Sequence, residues 1–186
     1  MKKIFTHTLL LIVSLLLVSC MSKTPEHRFF LLSATASQQT AENGAEPLAV
    51  SISTVTLPEY LNQKEMVLRL PSGELKKTGV FWGQDLKEDI RTVVTENLGV
   101  LLGTDRAIVK GDSKPVRLRL KFHEFAEVGQ GKLVMRGVCV CEIAGEFRQF
   151  SFSGSRLCKE IPESRVQAHN QLLADLSVQI ADFLRK

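Results

Sequence analysis

Cys139, Cys141 and Cys158 are the residues in the body of this 186-residue chain with the most reactive side chains. A strand carries Cys139 and Cys141 on one face, with Cα atoms about 6.6 Å apart. That is the edge of the range a disulfide bridges. Cys158 is an alternative partner for either, which leaves one thiol over, and an oxidising compartment permits such pairing. Adding His123 makes a four-ligand set on paper, but the spacing matches no zinc pattern, so no metal is expected. The plainer reading makes the thiols small buried hydrophobes. No G-x-S-x-G elbow, phosphate loop or carboxylate pair stands out. The expectation is therefore no catalytic residue, no cofactor and no enzyme.

Cys20 is different because of what precedes it. Lys2 and Lys3 form a basic head, and Leu9 to Val18 is apolar except for Ser14. Charge, short apolar run and small residue together read as a secretory signal. The run is too short to span a bilayer, which takes about 20 apolar residues. Leu17-Val18-Ser19-Cys20 resembles the bacterial lipobox. The resemblance implies that the Cys20 thiolate, the strongest nucleophile there, takes a diacylglyceryl group and becomes the first residue after cleavage. An ordinary signal with an incidental cysteine is the competing reading. Two or three acyl chains, at about 0.8 kcal/mol per buried methylene, hold a protein at a membrane where one does so only marginally. The chain thus divides into a signal over 1–19, a lipidated tether over 20–28 and one domain over 29–186. Met21, in place of Asp, favours the outer membrane over the inner by the proteobacterial sorting rule, with the domain on the periplasmic face. Loss of Lys2 and Lys3 with the signal takes the formal charge from +4 to +2. That is too little to support nucleic-acid binding.

The elements that must position these residues follow from periodicity. "FFLL" (Phe29 to Leu32) is a short strand, and the polar stretch after it is a loop. "LAVSISTVTL" (48–57) alternates but shifts phase midway, which predicts a bulge, and Pro58 stops it. Met66 to Leu70 is another strand. "DLKEDIRTVVTENLGVLL" is a helix with Leu86, Ile90, Val93, Val94, Leu98 and Leu101 on one stripe. Asp85 and Glu88 open it as a capping box, and either Gly99 or Gly103 ends it. Ala107 to Val109 is a brief strand candidate.

"VRLRLKFHEF" sets Val116, Leu118, Leu120 and Phe122 against Arg117, Arg119, Lys121 and His123. This basic row is either a solvated sheet face or a contact for lipid phosphates or an acidic partner. A turn at "EVGQG" makes a hairpin with "KLVMRGVCVCEI", and a turn at Ala144-Gly145 leads into "EFRQFSFSG". The middle strand is apolar on both faces, Leu133, Met135, Cys139 and Cys141 against Val134, Val138 and Val140. It calls for cover on both sides, by helices or by another subunit, a modest argument for a homo-oligomer. The last helix, Glu163 to Leu184, aligns Val166, Leu173, Leu176, Ile180 and Phe183, with Ser164 and Gln167 as its cap pair. The fold class is α/β with α+β character. It is a sandwich-like single domain with a mixed sheet, an antiparallel meander and two packed helices.

"VSISTVTLPEYLNQKEMVLRL", with the aromatic strand before it, "FWGQDL" opening a helix and the later hairpin, resembles the ABC-type transport auxiliary lipoproteins, the PqiC-like proteins. The resemblance runs from about Phe29 to the end of the chain. It implies an α/β sandwich domain tethered at the outer membrane and partnered with an MCE-domain periplasmic subunit of a lipid transporter. Pro58, Glu59, Tyr60, Leu61 and Trp82 are the candidate interface, since aromatic residues beside a rigid proline make good anchors. The plainer alternative is that Tyr60 and Trp82 plug the end of the core. Rival functions are a scaffold for another envelope complex, a thiol-redox factor using Cys139, Cys141 or Cys158, and a direct lipid carrier.

Overall fold

Local signals of this kind account for most of the elements. In the computed structural model, which describes residues 27–37, 48–103, 115–129 and 131–186, seven strands and two long helices form one mixed α+β body. The strands are β1 (Arg28–Phe30), β2 (Val50–Thr56), β3 (Glu65–Arg69), β4 (Leu75–Trp82), β5 (Val116–Val128), β6 (Lys132–Ile143) and β7 (Glu146–Leu157). The helices are α1 (Leu86–Leu102) and α2 (Pro162–Leu184). The lipobox and Cys20, part of the polar loop, and Ala107 to Val109 lie outside the described residues.

The sheet order is β1-β4-β3-β5-β6-β7, with β2 pairing β5 as well. β6 takes one edge of β5 along its length, so β2 and β3 share the other. Both run parallel to β5: β2 pairs its first half, and β3 pairs Glu127 and Val128 near its end. Between them the chain leaves the sheet in a single 3-10 turn at Glu59–Leu61. β5, β6 and β7 form the expected antiparallel meander. The expected phase shift in β2 is a bulge between Ile52 and Thr54. β4 has no counterpart in the sequence reading. Lys76, Lys77 and the positive-φ Gly79 interrupt the alternation that would have marked it.

Both helices cover one face of the sheet. α1 packs on β2 and on α2, and α2 packs on β6 and β7. Toward them point Val116, Leu118, Leu120 and Phe122 of β5 and Leu133, Met135, Cys139 and Cys141 of β6, all buried. Ile90, Val93, Val94 and Leu98 of α1 and Leu172, Leu173, Leu176 and Ile180 of α2 meet them. Gly137 lets this layer close. A Cβ there would sit 2.3 Å from the Lys121 carbonyl oxygen and 2.4 Å from the Phe152 ring. The ring therefore crosses the main chain and stacks edge-on against Phe122 at 5.2 Å. The expected second layer over Val134, Val138 and Val140 is absent among the described residues, and those valines stay half-buried.

The helix ends settle two open points. Asp85 caps α1 by accepting from the Lys87 and Glu88 amides, and Gly103, left-handed at φ 66°, ends it; Gly99 lies inside. The side chain of Glu88 pairs with Arg91. Ser164 does not cap α2. Pro162 begins that helix without a side-chain cap, and the Ser164 hydroxyl instead accepts from the Lys159 amide at 2.8 Å.

Three buried polar side chains then lash the segment after β1 across the helices. Asp89 accepts from the Leu32 amide at 3.0 Å and Asn170 from the Ser33 amide at 3.0 Å. Asn97 accepts from the amides of Thr35 and Ala36 at 3.0 and 2.9 Å. These contacts satisfy backbone groups that have no strand partner, which explains polar residues on otherwise apolar helix stripes. Asp89→Ala leaves the Leu32 amide without its acceptor and is expected to cost about 1–3 kcal/mol. Urea unfolding measures it, and an exposed substitution such as Glu88→Ala serves as the near-neutral control.

Candidate docking surface

The face of the sheet turned away from the helices is built by the same alternation. Strand register puts Arg117, Arg119 and Lys121 of β5 beside Glu142, Val140 and Val138 of β6, which lie beside Phe147, Gln149 and Ser151 of β7. On the other side of β5, the parallel pairing adds Ser51, Thr54 and Thr56. The basic row thus runs along a half-buried valine stripe and is bordered by hydroxyl groups. The Arg119 guanidinium lies 5.2 Å from the centre of the Phe147 ring, which is 63% exposed.

Past the bulge between Phe122 and Glu124, this face changes character. Glu124 is buried, and its carboxylate takes ion pairs from Arg69 of β3 and Arg136 of β6, the latter donating from Nε at 2.8 Å. A carboxylate this buried persists because two guanidiniums neutralise it. Tyr60 stands at the rim of the cluster. Burial raises its hydroxyl above the ordinary range, the Glu124 charge adds to this, and Arg69 and Arg136 oppose it.

The candidate interface residues divide on this frame. Pro58 and Tyr60 are half-buried and Glu59 is exposed, on the turn that bridges β2 and β3. Leu61 and Trp82 are core residues, 6% and 4% exposed, and offer no surface for a partner. Trp82 stacks edge-on against His169 at 5.3 Å, on the helix side of the sheet. The plainer alternative, that Tyr60 and Trp82 plug the end of the core, describes Trp82, while Tyr60 packs against the core and is only half-buried. A cleft of about 150 Å³ lies between the turn and the start of α1, lined by Leu57, Leu61, Lys64, Gln84 and Leu86. Small-molecule pockets start at about 300 Å³, so it is too small to hold a lipid.

The thiols belong to the core. Cys139 and Cys141 lie on the helix-covered side with sulfurs 3.8 Å apart, both fully buried and free. The hydrogen bond to Cys141 and burial both push the Cys139 thiol up, so it stays protonated. Cys158 follows β7, half-buried and also free. Burial raises its thiol, and the Glu127 charge adds to that. Among the described residues no cluster of three or more His, Cys, Asp or Glu side chains is arranged for a metal ion.

Beneath the surface a polar group that periodicity does not reveal ties β5 to α2. Glu127 and Arg165 form a buried ion pair at 2.6 Å, and Glu127 also accepts from the Gly131 amide at 3.0 Å. His169 Nδ1 is 2.8 Å from the Arg165 carbonyl oxygen, which requires the ring to donate there. The ring packs between Trp82 and Phe125. Burial lowers His169 from 6.5 to about 4. A histidine depressed in the folded state stabilises fully above its unfolded value and loses that contribution as pH falls. Stability is expected to fall by about 3 kcal/mol between pH 6.5 and 4 from this residue. Urea midpoints measured across that window should show the slope in the native chain and a shallower one in His169→Leu.

Comparison with known proteins places this geometry. Residues 30–181 match the family model described as ABC-type transport auxiliary lipoprotein component. A crystal structure of an uncharacterized protein superposes with a TM-score of 0.70 at 17% identity, covering 86% of this chain and 99% of its own. A Xanthomonas campestris protein of the family DUF330 superposes with a TM-score of 0.65 at 12% identity, covering 84% of this chain and 93% of its own. At these identities the likeness is one of fold. No curated protein matches the chain.

Proposed function

Since this chain belongs to the family of ABC-type transport auxiliary lipoprotein components, we propose that it is a lipid-anchored, non-catalytic subunit that docks a transporter to the outer membrane. Acyl chains on Cys20 hold the domain at the periplasmic face of the bilayer. The helix-free face of the sheet grips the periplasmic MCE-domain subunit of a lipid transporter. The observation that carries this reading is the basic row Arg117, Arg119 and Lys121 beside the half-buried valines of β6, open along the middle of the sheet. Such a surface fits an acidic partner with an apolar centre, the composition of an ordinary protein interface. Tethering raises the local concentration of the domain at its partner, so modest contacts suffice. No described helix is long and apolar enough to cross a membrane, in keeping with attachment through lipid.

The buried positions of Cys139 and Cys141, and the raised thiol of half-buried Cys158, speak against a redox task, which needs an accessible thiolate. The small cleft gives a carrier role no support.

Affinity purification of the native lipidated chain from its own membranes tests the reading. Wild type should recover the MCE-domain subunit together with the transporter's permease. Arg119→Glu with Lys121→Glu should reduce that recovery by about tenfold or more while the unfolding midpoint holds. Equal recovery from the double variant, or recovery of wall-synthesis components in place of the transporter, contradicts it.

A further inference from the structure

Phe29 and Leu31 belong to neither the core nor the basic row. They are 63% and 54% exposed, yet they are large, apolar and two residues apart at the edge strand β1. Register sets Phe29 beside Phe81 of β4, with ring centres 5.7 Å apart. His27 stands edge-on to the same Phe81 ring at 4.8 Å. Their neighbours Val80 and Trp82 point to the helix side and are buried, so Phe29 and Phe81 face the helix-free side. Leu31 is held in place rather than loose. Gly83 donates its amide to the Phe30 carbonyl at 2.7 Å, and a Cβ on Gly83 would come within 3.0 Å of the Leu31 side chain. On the inner face of the same strand, Arg28 pairs with Glu163 at the start of α2. The result is a patch of two rings and one aliphatic side chain carried on a paired strand.

Its place along the chain decides what covers it. Seven residue steps separate Cys20 from His27, a span of about 25 Å when fully extended. With a lipidated Cys20, β1 therefore stands no farther than about 25 Å from the headgroups and can reach them. Other large apolar side chains are exposed too, but Phe29, Phe81 and Leu31 share one face at the strand nearest Cys20, and the membrane interface takes up aromatic and aliphatic side chains of this kind.

We propose that Phe29, Leu31 and Phe81 form a second, non-covalent membrane contact that seats the β1 edge in the bilayer interface. The inference rests on the reading that Cys20 is lipidated, and it adds an orientation to that reading. With the β1 edge against the lipid, the domain cannot tumble on its tether. The basic row, on the same face but three strands away, is then held in a fixed attitude toward a partner approaching from the periplasm. A bilayer contact of this size is weak alone, but next to acyl chains it acts at high effective concentration.

The test uses the lipidated full chain reconstituted in vesicles of phosphatidylethanolamine and phosphatidylglycerol, with and without bromine in the acyl chains. Tryptophan placed by Phe29→Trp or Leu31→Trp reports contact. Phe147→Trp is the control, equally exposed at 63% but on the opposite edge strand. The single native tryptophan, Trp82, is buried and common to all three. The proposal expects the added emission at positions 29 and 31 to be quenched by bromolipid at least about twofold more than that at 147. Protein that floats with the vesicles but shows equal or no quenching at the three positions overturns the patch and leaves the anchor standing. Shielding of position 29 from aqueous iodide that grows with protein density, without bromolipid quenching, assigns the patch to a second copy and also overturns it. Failure to float overturns anchor and patch together.

Discussion

A seven-stranded sheet with both of its helices on one side has to resolve two faces by different means, and this asymmetry governs the molecule. On the covered side, burial is nearly complete: the strands contribute Leu118, Leu120, Leu133, Met135, Cys139 and Cys141, and the helices contribute an apolar stripe each. The segment following β1 seals the layer, bound by Asp89, Asn97 and Asn170. On the other side nothing in the described chain lies over the sheet. Alternation therefore forces every second residue of β5, β6 and β7 toward solvent or toward a partner. The chain answers with arginine, lysine, serine and threonine, yet it keeps Val134, Val138 and Val140 and the exposed Phe147 among them. The helix-free face thus mixes charged, hydroxyl and apolar side chains.

The way β2 and β3 share one edge of β5 gives this face its second feature. Two parallel pairings on one edge demand that the chain step out of the sheet between them, and Pro58 to Leu61 is that step. In its pairing with β6, on the other edge, β5 carries a bulge between Phe122 and Glu124, and the Glu124 carboxylate beyond it pairs with Arg69 and Arg136. The turn, the bulge and the ion cluster lie together along β5, where β2 gives way to β3. The Glu127–Arg165 pair and His169 do the matching work on the covered side by locking α2 to the end of β5.

Much of this was legible from residues. The α1 stripe, the Asp85 cap, the bulge in β2, the meander and the division of β5 into basic and apolar rows all follow from spacing, because each is a local pattern. β4 was not legible, since Lys76, Lys77 and Gly79 break its alternation and its partners lie elsewhere in sequence. Ser164 as a cap was wrong because Pro162 already starts the helix. Trp82 and Leu61 show a further limit: exposure depends on which face a residue meets, and a single aromatic carries no sign of that. The roles of Asp89, Asn97 and Asn170 were hidden for the same reason, for a polar residue on an apolar helix stripe does not name the distant amide it serves. β6 alternates apolar residues on both faces, but among the described residues only its Leu133, Met135, Cys139 and Cys141 face is covered, and Val134, Val138 and Val140 stay half-buried. The lipobox stands apart, a feature wholly of sequence, outside the described residues.

The account depends on the uncovered face being the one that meets the transporter. A photo-reactive amino acid placed at Val138, in the middle of that face, and separately at Gln171, exposed on α2, tests this directly in intact membranes. Crosslinks to the transporter's periplasmic subunit from position 138 and none from 171 are the predicted result. Crosslinks from the helix side alone, or from neither position in cells that carry the assembled transporter, would contradict it.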